Sequence, residues 1–231
     1  FENMSFAYTA DSASVLSEVN LTIKAGEFVG CIGSSGSGKS TFADLLLGLS
    51  TPSSGKILIN GHDLQQVKAQ YQQLISYVPQ DIHLFGGTIK QNILGIHKFI
   101  DDEWMLECSK MSGTDEFVRM HPAGYDMPLG ERGAGLSGGQ RQSVGIARAL
   151  INNSDIWMFD EPTNAMDQMS ESIVLNNLMS KIEGKTLLLV TQKMSMVDLV
   201  DRIIVMNFGT KVLDGPKDEI INKLGNSGEK Q

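Results

Sequence analysis

The sequence predicts an α/β fold around a parallel sheet, with a small β portion first and a helical insertion in the middle. Three observations carry this reading. Apolar runs of strand length at Phe28–Ile32, Ile156–Phe159 and Thr186–Thr191 alternate with helical signals. Near-continuous apolar strands indicate a sheet covered on both faces. A glycine-rich loop joins the first run to a helix, and residues 86–150 read as helix-rich.

Taken in order, Val15-Leu16 and Val19 to Ile23 read as strands, and Gly26-Glu27 turns the chain into the Phe28 run. Ser40 to Leu49 reads as a helix stopped by Ser50-Thr51-Pro52. Lys56–Ile59 reads as a strand, with Asn60-Gly61 as a hairpin turn. The helix-rich stretch breaks at Pro122, Pro128 and Gly133. In it, Asp101-Asp102-Glu103 suits a helix start, where acidic charge is favoured by the dipole. A further helix separates the two apolar runs at 156 and 186. Met158, Met166, Met169, Met179, Met194, Met196 and Met206 read as core packing. The chain shows no internal repeat and closes on a polar tail, Gly225 to Gln231.

The 231 residues suit one large domain, with about 1–85 and 151–231 as core plus β subdomain and about 86–150 as a helical subdomain. The chain is 41% hydrophobic and 20% charged, which is ordinary for a globular protein with a full core. A net charge of −8 offers no electrostatic footprint for a phosphate backbone, so nucleic acid is not expected as a partner. Cys31 and Cys108 lie far apart without CxxC spacing, which argues against a disulfide framework or a cysteine metal site and fits a reducing compartment. No apolar run approaches the roughly 18 to 20 residues that span a bilayer. No signal peptide is evident. The chain opens on Phe1-Glu2-Asn3 without a Met, so a piece of a longer protein, with membrane helices upstream, is expected.

Gly33-Ser34-Ser35-Gly36-Ser37-Gly38-Lys39-Ser40, followed by Thr41, matches G-x-x-x-x-G-K-[ST] between a strand and a helix. Glycines let the backbone wrap closely, so that successive N–H groups point at phosphates. The helix N-terminus adds partial positive charge. Lys39 can then reach the β- and γ-phosphates, and the Ser40 hydroxyl can ligate Mg²⁺. A glycine-serine turn with a chance lysine is the plain alternative, and the strand and helix on either side disfavour it. Ile156 to Phe159 ends in Asp160-Glu161. The first carboxylate suits Mg²⁺ through water, and the second suits polarising an attacking water. Without the phosphate loop, Asp160-Glu161-Pro162 could equally be a helix start.

At Leu136-Ser137-Gly138-Gly139-Gln140 the sequence resembles the ABC ATPases, and the resemblance extends over nearly the whole chain. It implies a P-loop NTPase (RecA-like) core, an N-terminal antiparallel β subdomain and an inserted helical subdomain. It implies ATP and Mg²⁺ as cofactors and a head-to-tail pair in which each signature caps the partner's γ-phosphate. The physics is compatible: Ser137 offers a hydroxyl, and Gly138 and Gly139 bare N–H groups, at a helix start. A simple Ser-Gly-Gly helix cap is the plain alternative. Residue by residue, Tyr8 corresponds to the adenine-stacking aromatic. Gln80 corresponds to the Q-loop glutamine near Mg²⁺ and the transmembrane contact, and Asp167 to the D-loop aspartate. Arg141-Gln142 follows the signature as in the family, and Gly130-Glu131-Arg132-Gly133 resembles the exporter loop before it. Tyr77–Phe85, Phe117–Asp126 and Lys185–Met206 look like exporters of the type I secretion group, those of RTX toxins and adhesins. The implied partners are a second nucleotide-binding domain, identical or not, and an exporter's transmembrane domain. The implied location is the cytoplasmic face of a bacterial inner membrane.

One position departs from the family. After Val190-Thr191 its usual histidine is Gln192, which can donate a hydrogen bond but has no titratable proton. Three readings of Gln192 stay open: it replaces one hydrogen bond and hydrolysis continues, it marks a weakened site of a heterodimer, or it is an engineered change that traps ATP. A binding-only or slow-turnover subunit is therefore the alternative to a hydrolysing motor, and a soluble ABC ATPase of repair or translation a more remote one. His62, His83, His97 and His121 read as structural or solvated.

Overall fold

The computed structural model describes residues 1–9, 12–97 and 100–228. The first elements are β1 (Glu2–Phe6), β2 (Leu16–Val19), β3 (Phe28–Ile32), α1 (Lys39–Leu46), β4 (Ser54–Lys56), β5 (Leu58–Ile59), β6 (His62–Asp63) and α2 (Leu64–Gln73). Next come β7 (Ile75–Val78), β8 (Gly87–Thr88), α3 (Ile89–Leu94), α4 (Asp102–Met111), α5 (Thr114–Val118), β9 (Pro128–Leu129) and α6 (Gly138–Leu150). The chain continues through β10 (Ile156–Asp160), α7 (Gln168–Met179), β11 (Thr186–Thr191), β12 (Arg202–Asn207), β13 (Thr210–Pro216) and α8 (Lys217–Gly228). These elements fall into two compact units. The first takes residues 1–75, 155–160 and 185 onward, and the second takes 76–154 and 161–184.

The first unit is the α/β part. Its main sheet runs β13-β12-β3-β11-β10, parallel except where β13 pairs antiparallel with β12. The apolar residues of β3, β10 and β11 are buried almost throughout, as parallel strands covered on both faces require. A separate antiparallel sheet, β2-β1-β4, forms the β portion. The Asn60-Gly61 turn joins β5 and β6 with both residues at positive φ, 51° and 83°, as a type I′ hairpin needs. Arg202 pins the far edge of the main sheet. It forms a bidentate pair with Asp214 at 2.8 and 3.0 Å and reaches Glu27 at 3.0 Å, and Lys211 adds a bond to Asp214 at 2.8 Å.

The second unit is mainly helical. α6 packs against α3, α4 and α5, with Val144, Ile146, Ala147 and Leu150 buried. Asp101 caps α4, and Asp102 and Glu103 fill its first turn.

Several expectations need correction. No strand covers Leu21–Ile23, because β2 ends at Val19. Lys56–Ile59 is not one strand: Lys56 pairs with β1, Ile57 turns into the core at 3% exposure, and Leu58 pairs with β6. Met169, Met179 and Met194 are exposed, whereas Met158, Met166, Met196 and Met206 are buried. In α7 the buried face carries Glu171, Val174 and Leu178, which leaves Met169 on the opposite side. Residues 225–228 of the polar tail belong to α8, and 229–231 lie outside the described residues. β12, β13 and α8 lie outside the sequence-based expectations, and both strands follow the one that ends at Thr191.

Candidate nucleotide site

In the first unit the strand register aligns three chain segments at one edge. Asp160 pairs with Val190, Val190 with Cys31, and Thr191 with Ile32. Gly33 and Gln192, the next residues of β3 and β11, therefore leave the sheet at the edge that holds Asp160. This is the carboxyl edge, where open α/β sheets place ligands.

The phosphate loop is preorganised around its lysine. Lys39 is 6% exposed, and its Nζ donates to the Gly33 carbonyl at 2.8 Å and the Ser34 carbonyl at 2.9 Å. Gly38 (φ 98°) opens α1 without a side-chain cap, so the first N–H groups of the helix are available to an anion. Ser34, Ser35, Gly36 and Ser40 are exposed, and Ser37 and Thr41 are buried. The β12–β13 turn clamps the loop from behind. Gly209 N donates to the Ser37 carbonyl at 3.1 Å, and Ser17 N donates to the Gly209 carbonyl at 2.9 Å. A Cβ on Gly209 would stand 2.1 Å from the Val15 carbonyl oxygen. Nothing in the sequence pattern marked Gly209 as part of the site.

Tyr8 is 65% exposed, with its hydroxyl 3.0 Å from Thr41 Oγ1 and its ring edge-on to Phe6. Its phenol thus rests on α1 while most of the ring faces solvent. Asp160 is buried at the end of β10. Burial pushes the Cys31 thiol up to about 12, with Lys39 opposing and Asp160 adding to the rise. Cys31 therefore stays protonated and inert, and the charges of Lys39 and Asp160 both reach it. Gln192 is exposed directly after β11.

Among the described residues no three His, Cys, Asp or Glu side chains group as a metal cage. The first unit instead offers the Asp160 carboxylate and the Ser40 hydroxyl. Such a sparse hard-oxygen set suits Mg²⁺, which keeps waters and takes phosphate oxygens as ligands, so these residues fit the ion.

In the second unit Ser137 is the N-cap of α6. Its Oγ accepts from Gln140 N at 3.2 Å, and Gln140 Oε1 accepts from Ser137 N at 2.9 Å, closing a capping box. Both bonds leave the Ser137 hydroxyl hydrogen available, so the cap is compatible with an anion site. A Cβ on Gly138 would stand 3.1 Å from Ala165 Cβ, and one on Gly139 3.3 Å from the Ala165 carbonyl oxygen. Glu161 is 5% exposed and sits at φ 46°, left-handed for a non-glycine residue. Asp167 caps α7 through Met169 N and Ser170 N, at 3.0 and 2.9 Å, and accepts from Ser170 Oγ. The Ser170 backbone and hydroxyl bonds hold the Asp167 carboxyl below its ordinary range. Gln80 is exposed just after β7. The candidates are thus divided, with Tyr8, residues 33–41, Asp160 and Gln192 in the first unit and Gln80, Ser137–Gln140, Glu161 and Asp167 in the second.

Residues 16–164 match the sequence model described as "ABC transporter". The chain belongs to the ABC transporter family. This ABC chain is 41% identical over 227 residues to the exotoxin translocation ATP-binding protein PaxB of Pasteurella aerogenes, covering 97% of the chain and 32% of that protein. It is 41% identical over 222 residues to the leukotoxin translocation ATP-binding protein LktB of Mannheimia glucosida, covering 96% of the chain and 31% of that protein. Among solved structures it resembles a bacterial Atm1-family ABC exporter with ATP bound, with a TM-score of 0.92, 32% identity, and coverage of 96% of the chain and 39% of the exporter chain. The chain thus spans about a third of the length of the curated relatives it matches. Among the described residues no helix is long and apolar enough to cross a membrane.

Proposed function

We propose that this chain is the ATP-binding and hydrolysing motor of an ABC exporter that moves protein cargo by type I secretion, acting at the cytoplasmic face of the membrane. The observation that carries it is the phosphate loop, whose buried Lys39 is held across the loop by two of its own carbonyls. Those bonds place the ammonium where it can exchange its carbonyl partners for phosphate oxygens. The free N–H groups opening α1 bind the same phosphates, and the exposed face of Tyr8 offers a stacking platform for adenine. Ser40 and Asp160 would hold Mg²⁺, with Gln80 a further candidate ligand, and the ion would supply charge neutralisation to the phosphates. Glu161 orients and polarises the attacking water, and Gln192 donates a hydrogen bond toward the γ-phosphate. Ser137, Gly138 and Gly139 cap the nucleotide of a second copy or of a related chain, and Asp167 lies at that junction. A transmembrane domain, carried by the same protein or another, is the second partner. Similarity to toxin-translocation proteins over nearly the whole chain supports the cargo class.

A slow-turnover subunit is the second reading, favoured by the exposed Gln192 at the edge where the family's histidine stands. Steady-state phosphate release separates the two. The hydrolysing reading expects sustained turnover that Lys39→Ala abolishes and Glu161→Gln cuts to a slow residual rate readable in a single turnover, and ATP-dependent dimerisation of Glu161→Gln by light scattering. Full activity in Lys39→Ala would overturn the site assignment. ATP binding without turnover in the unaltered chain would select the second reading.

A further inference from the structure

Gln142 lies two residues beyond the signature, and neither the phosphate loop nor the capping box uses it. It is 4% exposed, and both ends of its amide are engaged. Its Nε2 donates to the carbonyl of Glu161 at 3.3 Å, and its Oε1 accepts from the N–H of Ala165 at 2.7 Å. Asn164 N donates to the same Glu161 carbonyl at 3.2 Å. Thr163 Oγ1 donates to the buried Glu171 at 2.7 Å, and Met166 N to the Thr163 carbonyl at 3.1 Å. The whole segment from Glu161 to Asp167 is therefore held by polar groups, and Gln142 alone of these reaches it from α6.

The contact is geometrically demanding. Glu161 sits at φ 46°, a conformation that a non-glycine side chain keeps only when its surroundings enforce it. Gln142 binds the carbonyl that follows this dihedral, so it restrains the backbone from which the Glu161 side chain projects. On the same helix face Gly138 and Gly139 lie against Ala165, whose N–H is the other Gln142 partner. The signature turn and the Glu161 segment thus share one amide.

We infer that Gln142 is a positioning residue for hydrolysis, holding the Glu161 carboxylate in its productive direction and tying that direction to the signature helix. The inference rests on the reading of Glu161 as the residue that polarises water. A displacement of about 1 Å in a catalytic group costs on the order of 100-fold in rate. Gln142→Met keeps the length and removes both hydrogen bonds, and Gln142→Glu keeps the acceptor for Ala165 N–H but loses the donor for the Glu161 carbonyl.

The test measures kcat and KM for MgATP in the purified chain, with circular dichroism melts and fluorescent-nucleotide affinity as fold controls. Both variants should lose tenfold or more in kcat, with KM and nucleotide affinity within about twofold, because the phosphate loop is untouched. A merely structural role is separated by a double-mutant cycle. If Gln142 acts through Glu161, adding Gln142→Met to Glu161→Gln should cause no further loss in single-turnover phosphate release. Should Gln142→Met fail to fold, Gln142→Glu carries the same cycle. Unchanged kcat in a folded variant, a rise in KM that accounts for the loss, or multiplicative losses in the cycle would each overturn the inference. A Glu161→Gln chain with kcat equal to that of the unaltered chain would instead overturn the reading on which it rests.

Discussion

Replacing Gly209 by alanine is the sharpest probe of how the phosphate loop is held. Gly209 sits at φ 75°, where an alanine costs about 1–2 kcal/mol. Its new Cβ would also meet the Val15 carbonyl oxygen at 2.1 Å and the Val15 carbonyl carbon at 2.9 Å. The obstacle is backbone, so the turn must shift by more than 1 Å to regain van der Waals contact, adding about 1–3 kcal/mol of overpacking strain. Gly61 provides the internal control. It has φ 83° and open space around its Cβ position, so Gly61→Ala reports the dihedral cost alone. Urea unfolding should show Gly61→Ala destabilised by about 1–2 kcal/mol and Gly209→Ala by about 2–5 kcal/mol. Movement of the turn also pulls on the Ser37 carbonyl, so nucleotide affinity should fall in Gly209→Ala and stay unchanged in Gly61→Ala. Equal destabilisation of the two variants, or full affinity in Gly209→Ala, would refute the clamp.

Other outcomes follow from the same geometry. Gln192→His should raise kcat by roughly tenfold with little change in KM, since one preorganised contact to developing phosphoryl charge is worth on the order of 10²–10³ and glutamine recovers part of it. Equal kcat values would show that glutamine suffices. Burial pushes the Asp214 carboxyl up, but Arg202 and Lys211 outweigh it and hold it below its ordinary range. A depressed folded-state value means stability present above the unfolded aspartate value of about 3.9 and lost as pH falls through the folded value. Arg202→Met should therefore flatten the acid limb of a urea-midpoint profile, and an unchanged limb would refute the pairing.

What the sequence showed and what it hid have separate physical causes. The apolar runs at 156 and 186 are legible because parallel strands buried on both faces carry no polar alternation. The phosphate loop and Asp160 are legible because phosphate chemistry demands fixed residue types at fixed spacing. β13 is hidden because Lys211 and Asp214 interrupt its apolar pattern, and their pairing with each other and Arg202 appears only once the strands lie side by side, whereas β12 carries a legible apolar run, Ile203–Met206, to which no strand is assigned from sequence. Met169 and Met179 were misplaced because a long apolar side chain names no helix face. Gly209 and Gln142 were invisible as site residues for a common reason. Each acts through a backbone atom more than fifteen residues away, and no local pattern records such a partner.

The left-handed backbone at Glu161 has a consequence for how this chain would respond to selection. A non-glycine residue there carries about 1–3 kcal/mol of conformational strain. Glycine would relieve it, and asparagine would relieve part of it, so the residue assigned to activating water is also one the fold would prefer to lose. A library screened only for thermal resilience should enrich such replacements at 161, yielding sturdier molecules with no turnover. Screening for heat tolerance and phosphate release together should keep the glutamate and find its gains elsewhere.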